Sequence, residues 1–169
     1  MNVGRLAARA IVGSLFVGHG TQKLMGWFDG PGLAGTDEMM ESLNMRPARR
    51  NSLAAGVTET AGGALVTLGA ATPLAAAGLM GVMITAIRKV HLPNGPWAAK
   101  GGYEYNLVLI AALLAIVDDG PGDLSVDAAL GWDKHGAAWA LGALAAGAAI
   151  STLVVTRGAQ SGSPAQAAA

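Results

Sequence analysis

The sequence predicts an all-α fold: an integral membrane helical bundle of four core transmembrane helices with a fifth helix at the C-terminal end. Three observations predict it. Charged residues make up only 13% of the 169-residue chain, against about 25% in a soluble domain, while 52% are hydrophobic. Glycine is abundant, at 25 residues, and aromatics are scarce, at 5%; small residues are what helices in lipid place at their contacts. Five apolar runs, at 6–28, 52–72, 73–91, 104–119 and 136–156, approach the about 20 residues that a spanning helix needs. The balance of 11 basic and 11 acidic residues gives no basic face for nucleic acid, so no nucleic-acid partner is expected. The absence of cysteine excludes disulfides, thiolate metal sites and dithiol chemistry.

Taken in order, the first run has Arg5 and Arg9 before an apolar core, as a signal peptide would, but no small-x-small cleavage site closes it. It reads as a retained helix. Segment 29–50 opens with Gly-Pro-Gly turn signals, and "TDEMMESL" within it suits a short interfacial helix beginning at Thr36. Asn51 or Ser52 is placed to cap the second span. "ATP" at 71–73 is a tight connection, making spans two and three a hairpin, and 91–102 is a loop broken by proline and glycine. A second Gly-Pro-Gly turn at 120–122 follows the fourth span. Residues 136–157 form the additional span, and 158–169 read as a low-complexity, disordered tail. Lysine and arginine concentrate in loops 29–51 and 88–103, which places these in the cytoplasm and the N-terminus outside.

The polar residues inside the apolar runs carry the functional signal. Arg5, Arg9, Val12, Phe16, His19 and Lys23 recur at spacings of three and four and so share one helix face. Ionisable groups at mid-helix cost about 2.5–3.5 kcal/mol each on insertion scales, which turns such a face inward. Lys23 has the alternative of snorkelling outward; His19 is too short for that and needs a partner. Glu59, between Thr58 and Thr60 and one turn from Gly62 and Gly63, is the acid available in the second span. Paired with Lys23 or His19 it forms a buried polar cluster of His19, Lys23 and Glu59, with either a functional or a purely structural role. Arg88 and His91 share a face at three-residue spacing while Lys89 points elsewhere as an interfacial anchor. Glu104 is either a helix N-terminal acid or a partner for Arg88 or His91. With Asn106, these three residues form an expected pocket mouth. Ser125 is placed to cap a short helix, and Asp127 falls in its first turn, with Arg5 or Arg9 as its ion-pair partner; these four are read as structural. The spacing offers no metal site and no nucleotide fingerprint.

An N-terminal "R-x(3)-R…G-x-x-K-L" span, a glutamate beside "GG" in the second, "GYEYNL" opening the fourth and "GPGDLSVDAAL" closing the core resemble the DoxX family across residues 4–131. The resemblance implies small, multi-pass proteins of the bacterial inner membrane with four core helices, similar to the membrane subunit of a thiosulfate:quinone oxidoreductase. It carries functional weight to Arg9, Lys23, Glu59, Glu104, Asn106, Ser125 and Asp127. No catalytic residue emerges, and no side chain is itself a redox centre, so electrons would travel through a bound cofactor or a partner protein. The expectation is a membrane component of a quinone-linked redox system, with no covalently bound cofactor and a quinone as the cofactor class. The alternatives are an accessory or scaffold subunit of a larger membrane complex, and a small transporter or proton path. Membrane lipids, other membrane subunits or further copies of the chain are the expected partners.

Overall fold

The computed structural model describes residues 3–132 and 134–160, and among them there are helices and no strands. Helix α1 spans Val3–Met25, α2 Gly32–Ser42, α3 Ala48–Leu68 and α4 Thr72–Ala86. Helix α4 continues without a break through a π-helical turn, Ile87–His91, and a 3-10 turn, Leu92–Asn94. Helix α5 spans Glu104–Asp119, α6 Val126–Ala129 and α7 Ala137–Gln160. Thr72–Asn94 and Ala137–Gly158 are the two stretches long and apolar enough to cross a membrane among the described residues. Helix α5 has 16 residues, about 24 Å, short of the about 30 Å hydrocarbon core. Helices α1 and α3 are long enough but carry Arg5, Arg9, Lys23, Arg49, Arg50 and Glu59. Composition alone therefore makes spans of two helices, where the sequence suggests five.

Glycine sets the contact between α1 and α3. Helices α1 and α3 run antiparallel, with Gly13 against Gly63 and Gly20 against Gly56 and Thr60. A Cβ on Gly13 would stand 2.5 Å from the Gly63 carbonyl oxygen, and one on Gly20 would stand 2.5 Å from the Thr60 nitrogen. Both are distances that only a hydrogen at that position allows, so the two backbones meet directly, as small residues permit in lipid. Helix α7 meets α4 in the same way: a Cβ on Gly147 would lie 2.9 Å from the Ala77 carbonyl oxygen and 3.0 Å from the Gly81 nitrogen. Phe16, Val66, Leu79, Met80, Leu113 and Val117 fill the space between the helices and are fully buried.

Local expectations met different fates. Ser125 caps α6, accepting a bond from the Ala128 backbone N–H at 3.1 Å. Thr36 does not open α2: the helix begins at Gly32, and the buried Thr36 hydroxyl donates to the carbonyls of Gly32 and Lys23, fastening α2 to the end of α1. Asn51 and Ser52 do not cap α3, which starts at Ala48 behind Pro47; both side chains bond back to carbonyls four residues earlier. In each case a hydroxyl or amide that favours a cap found an i−4 carbonyl instead. Residues 158–160, read as tail, are the last turn of α7, and 161–169 lie outside the described residues.

We predict that Gly20→Val overpacks the α1–α3 contact at a cost of about 1–3 kcal/mol, because backbone atoms of Thr60 and Gly56 stand close behind the Thr60 hydroxyl that a Cβ would meet first. The control is Gly18→Ala on the same helix, where a Cβ meets nothing within 4 Å. Thermal unfolding in detergent should fall by several degrees for the first variant and stay unchanged for the second.

Candidate functional site

The antiparallel α1–α3 pair fixes the charged residues. Gly20 and Gly56 lie at the contact, and Lys23 and Glu59 each follow by three residues. Side chains on a helix lean toward its N-terminus, so Lys23 reaches back along α1 to the level of Glu59. Its Nζ lies 2.6 Å from Glu59 Oε2 and 3.4 Å from the His19 carbonyl oxygen. Glu59 is 2% exposed and Lys23 22%. The lysine is thus held inward rather than snorkelling. His19 does not join the pair: its Nδ1 lies 3.1 Å from Gln22 Oε1, and its ring meets Tyr105 of α5 edge-on at 6.1 Å between centroids.

These groups stand on the wall of a cavity of about 700 Å³, within the about 300–1,000 Å³ typical of small-molecule sites. It lies at the end of the bundle nearest loops 29–51 and 88–103, among the C-terminal halves of α1, α4 and α7 and the N-terminal halves of α3 and α5. Methionine is prominent on the walls, with Met39, Met40, Met45 and Met83, alongside Leu109, Ile150 and Val154. Polar groups converge from four directions: His19 and Lys23, Thr58 and Glu59, Lys89 and His91, and Asn106. Asn106 is 5% exposed and donates to Met83 Sδ at 3.4 Å.

The expected pocket mouth is partly corrected. His91 and Asn106 line the cavity; Arg88 and Glu104 do not. Arg88 turns to α7, where Nη1 donates to Ser151 Oγ and Thr152 Oγ1 at 3.3 Å each. Glu104 accepts from the Ala98 backbone N–H at 2.7 Å and closes the 98–103 loop onto α5. Lys89, read as an outward anchor, lines the cavity instead. The reason is the π-turn at Ile87–His91: its i→i+5 bonding breaks the α-helical spacing on which the face assignment depended. Nor does α-helical periodicity reveal the methionines of α2, although the paired Met39-Met40 on an amphipathic segment is a signal that could have done so.

At the opposite end, Asp127 stands near enough to Arg9 for their charges to attract, but its oxygens bond to other groups. Its Oδ1 accepts from the Ala71 N–H at 2.7 Å, and its Oδ2 from the Thr72 N–H at 3.0 Å and the Thr72 hydroxyl at 2.7 Å. The backbone N–H of Asp127 donates to the Gly69 carbonyl at 2.8 Å. A carboxylate on the exposed N–H groups that open α4 meets the positive end of the helix dipole, a stronger claim on it than an arginine across a gap. Arg9, 2% exposed, donates from Nη2 to the Leu124 carbonyl at 2.7 Å and packs against Gly69. Arg5 packs beside Gly122. Among the described residues no group of three or more His, Asp or Glu side chains is placed to hold a metal.

Breaking a buried ion pair leaves one charge uncompensated, whereas removing both partners does not. Glu59→Gln and Lys23→Met should therefore each destabilise the protein by about 3–5 kcal/mol, and the double variant by clearly less than either. A double-mutant cycle of thermal stability in detergent checks this; additive losses would refute the coupling.

Comparison with curated proteins and with solved structures gives no match. The family model of DoxX matches residues 4–92, which takes in the α1–α3 pair, Lys23 and Glu59, α4 and its π-turn. The motifs at 103–106 and 120–131 lie beyond the match. With more than half of its length matched, and with two helices apolar enough to enter a membrane, the chain is a membrane protein that belongs to the DoxX family.

Proposed function

We propose that this protein is a multi-pass cell-membrane protein, with α1, α3, α4 and α5 as core spans and α7 as a fifth, that serves as the membrane component of a quinone-linked redox system. The observation that supports the reading is the cavity: a largely apolar chamber of about 700 Å³ on which a few nitrogen donors converge, the form of site that takes a lipophilic molecule bearing polar oxygens. The residues present fit a quinone. Lys23, Asn106 and Lys89 offer N–H donors to carbonyl oxygens, the Tyr105 ring offers a flat apolar face, and the methionines give walls that adapt to shape. A quinone would supply the electron-carrying chemistry that none of these side chains provides. The chain's own part is to bind it, exclude water from it and hold a fixed charge pair beside it.

The accessory-subunit reading draws on α7, of whose apolar window only 22% is buried; Leu141 and Leu153 face outward on it, to meet lipid or another helix. A proton path is less well supported. Arg9 and Asp127 at one end are separated from Lys23 and Glu59 at the other by the layer of Phe16, Val66, Leu113 and Val117, which holds no titratable group.

Protein purified in a mild detergent should carry a quinone detectable by mass spectrometry of its organic extract. Added decylubiquinone at about 100 times its Kd should stabilise the protein by about 2.7 kcal/mol, read as a rise in Tm. No rise at saturation would overturn the quinone.

Orientation follows from charge. Arg46, Arg49, Arg50, Arg88, Lys89, Lys100 and Arg157 lie at the cavity end, against Arg5, Arg9 and Lys134 at the other. The cavity is therefore proposed to open toward the cytoplasm. Cysteine introduced at Ser42 or Asn94 should resist an impermeant thiol reagent in intact cells, while cysteine at Gly131 should react. The reverse pattern would invert the orientation.

A further inference from the structure

The ionisable residues on the cavity wall do not balance. Lys23 is neutralised by Glu59 at 2.6 Å, and among the described residues no other aspartate or glutamate lines the space. Lys89 is left. It is half-buried, it lines the cavity, and it makes no hydrogen bond or ion pair with any described residue. Arg88 beside it has found two hydroxyls on α7, and His91 has its Nδ1 on the Gly101 carbonyl oxygen at 2.8 Å. Lys89 therefore stands as one uncompensated positive charge at the edge of an apolar chamber. Such a charge is most stable when the occupant supplies its counter-ion, since an apolar chain that fills the chamber displaces water and leaves a low-dielectric wall to strengthen the attraction.

We propose that the cavity binds a single-chain amphiphile with an acidic head, a fatty-acid carboxylate being the simplest case, with the head on Lys89 and the chain along the apolar wall of Leu109, Ile150 and Val154. The size of the chamber sets the class: about 700 Å³ suits one drug-sized apolar body rather than the two chains of a phospholipid. The π-turn gives the head its place, because it is the element that carries Lys89 and His91 together to the cavity wall. The inference rests on the reading of this cavity as a lipophile site, and not on the lipophile being a quinone.

The test uses the full chain in an uncharged detergent, with cis-parinaric acid as the fluorescent probe and oleate, methyl oleate, phosphatidylglycerol and decylubiquinone as competitors. Oleate should displace the probe at a concentration at least about fivefold lower than methyl oleate, the difference that one partly screened ion pair confers. Lys89→Met should abolish that preference, and Lys89→Arg should keep it. Failure of the probe to bind, equal displacement by oleate and its ester, an unchanged preference in Lys89→Met, or stronger displacement by phosphatidylglycerol than by oleate would each overturn the proposal. Displacement by decylubiquinone as well would support a shared lipophile site. A preference for oleate without any displacement by decylubiquinone would uphold the acid and remove the quinone.

Discussion

A charge cannot be left alone in an apolar interior, and the Lys23–Glu59 contact is where this protein meets that constraint. The two groups lie on different helices, so the pair forms only if α1 and α3 are close and correctly registered. Glycine supplies the closeness: Gly13 and Gly20 on one helix and Gly56 and Gly63 on the other let backbone meet backbone. Register follows from the same contacts, since a slide of one helical turn would drive side chains into carbonyls. The ion pair and the glycine seam are thus one device. The cavity depends on it, because α4 and α5 close over a wall that this seam holds in place.

Much of this was legible in the sequence. An ionisable residue inside an apolar run demands a partner, and with one acid in the second run a pairing of Glu59 with Lys23 or His19 followed from cost; the structure selects Lys23. The buried face of α1 was readable from its three-and-four spacing, and Ser125 from the chemistry of caps. What the sequence could not yield were choices between equivalent local bonds. Thr36, Asn51 and Ser52 are all good caps by type, yet each has a carbonyl four residues back that competes on equal terms. For Asp127 the sequence offered the first turn of its own short helix and an arginine; its actual acceptor role at the start of α4 depends on the three-dimensional approach of the 120–131 segment to the α3–α4 turn.

The site was legible in part for a different reason. Pattern reading assumes one helical period, and the π-turn at Ile87–His91 departs from it. A face assignment carried past Ala86 was bound to exchange the roles of Arg88 and Lys89. That exchange changes the chemistry of the chamber, since it replaces an arginine engaged with α7 by a lysine that no described residue neutralises. In α1 and α3 the polar residues that build the interior are the same residues that lower the hydropathy, whereas α5 is apolar but short, at 16 residues.

The link between Asp127 and the start of α4 joins residues 55 and 56 positions apart. During synthesis the α3–α4 hairpin leaves the ribosome long before the carboxylate that completes it. Until the segment after α5 arrives, the first N–H groups of α4 lack their acceptor, and the turn at Gly69–Ala71 is held only by its own backbone. The turn between two early helices is therefore completed by a segment made after both of them, and α7 is added to the core later still. A clasp of this kind ties packing to the order of synthesis: a turn made early receives its acceptor only when residue 127 arrives.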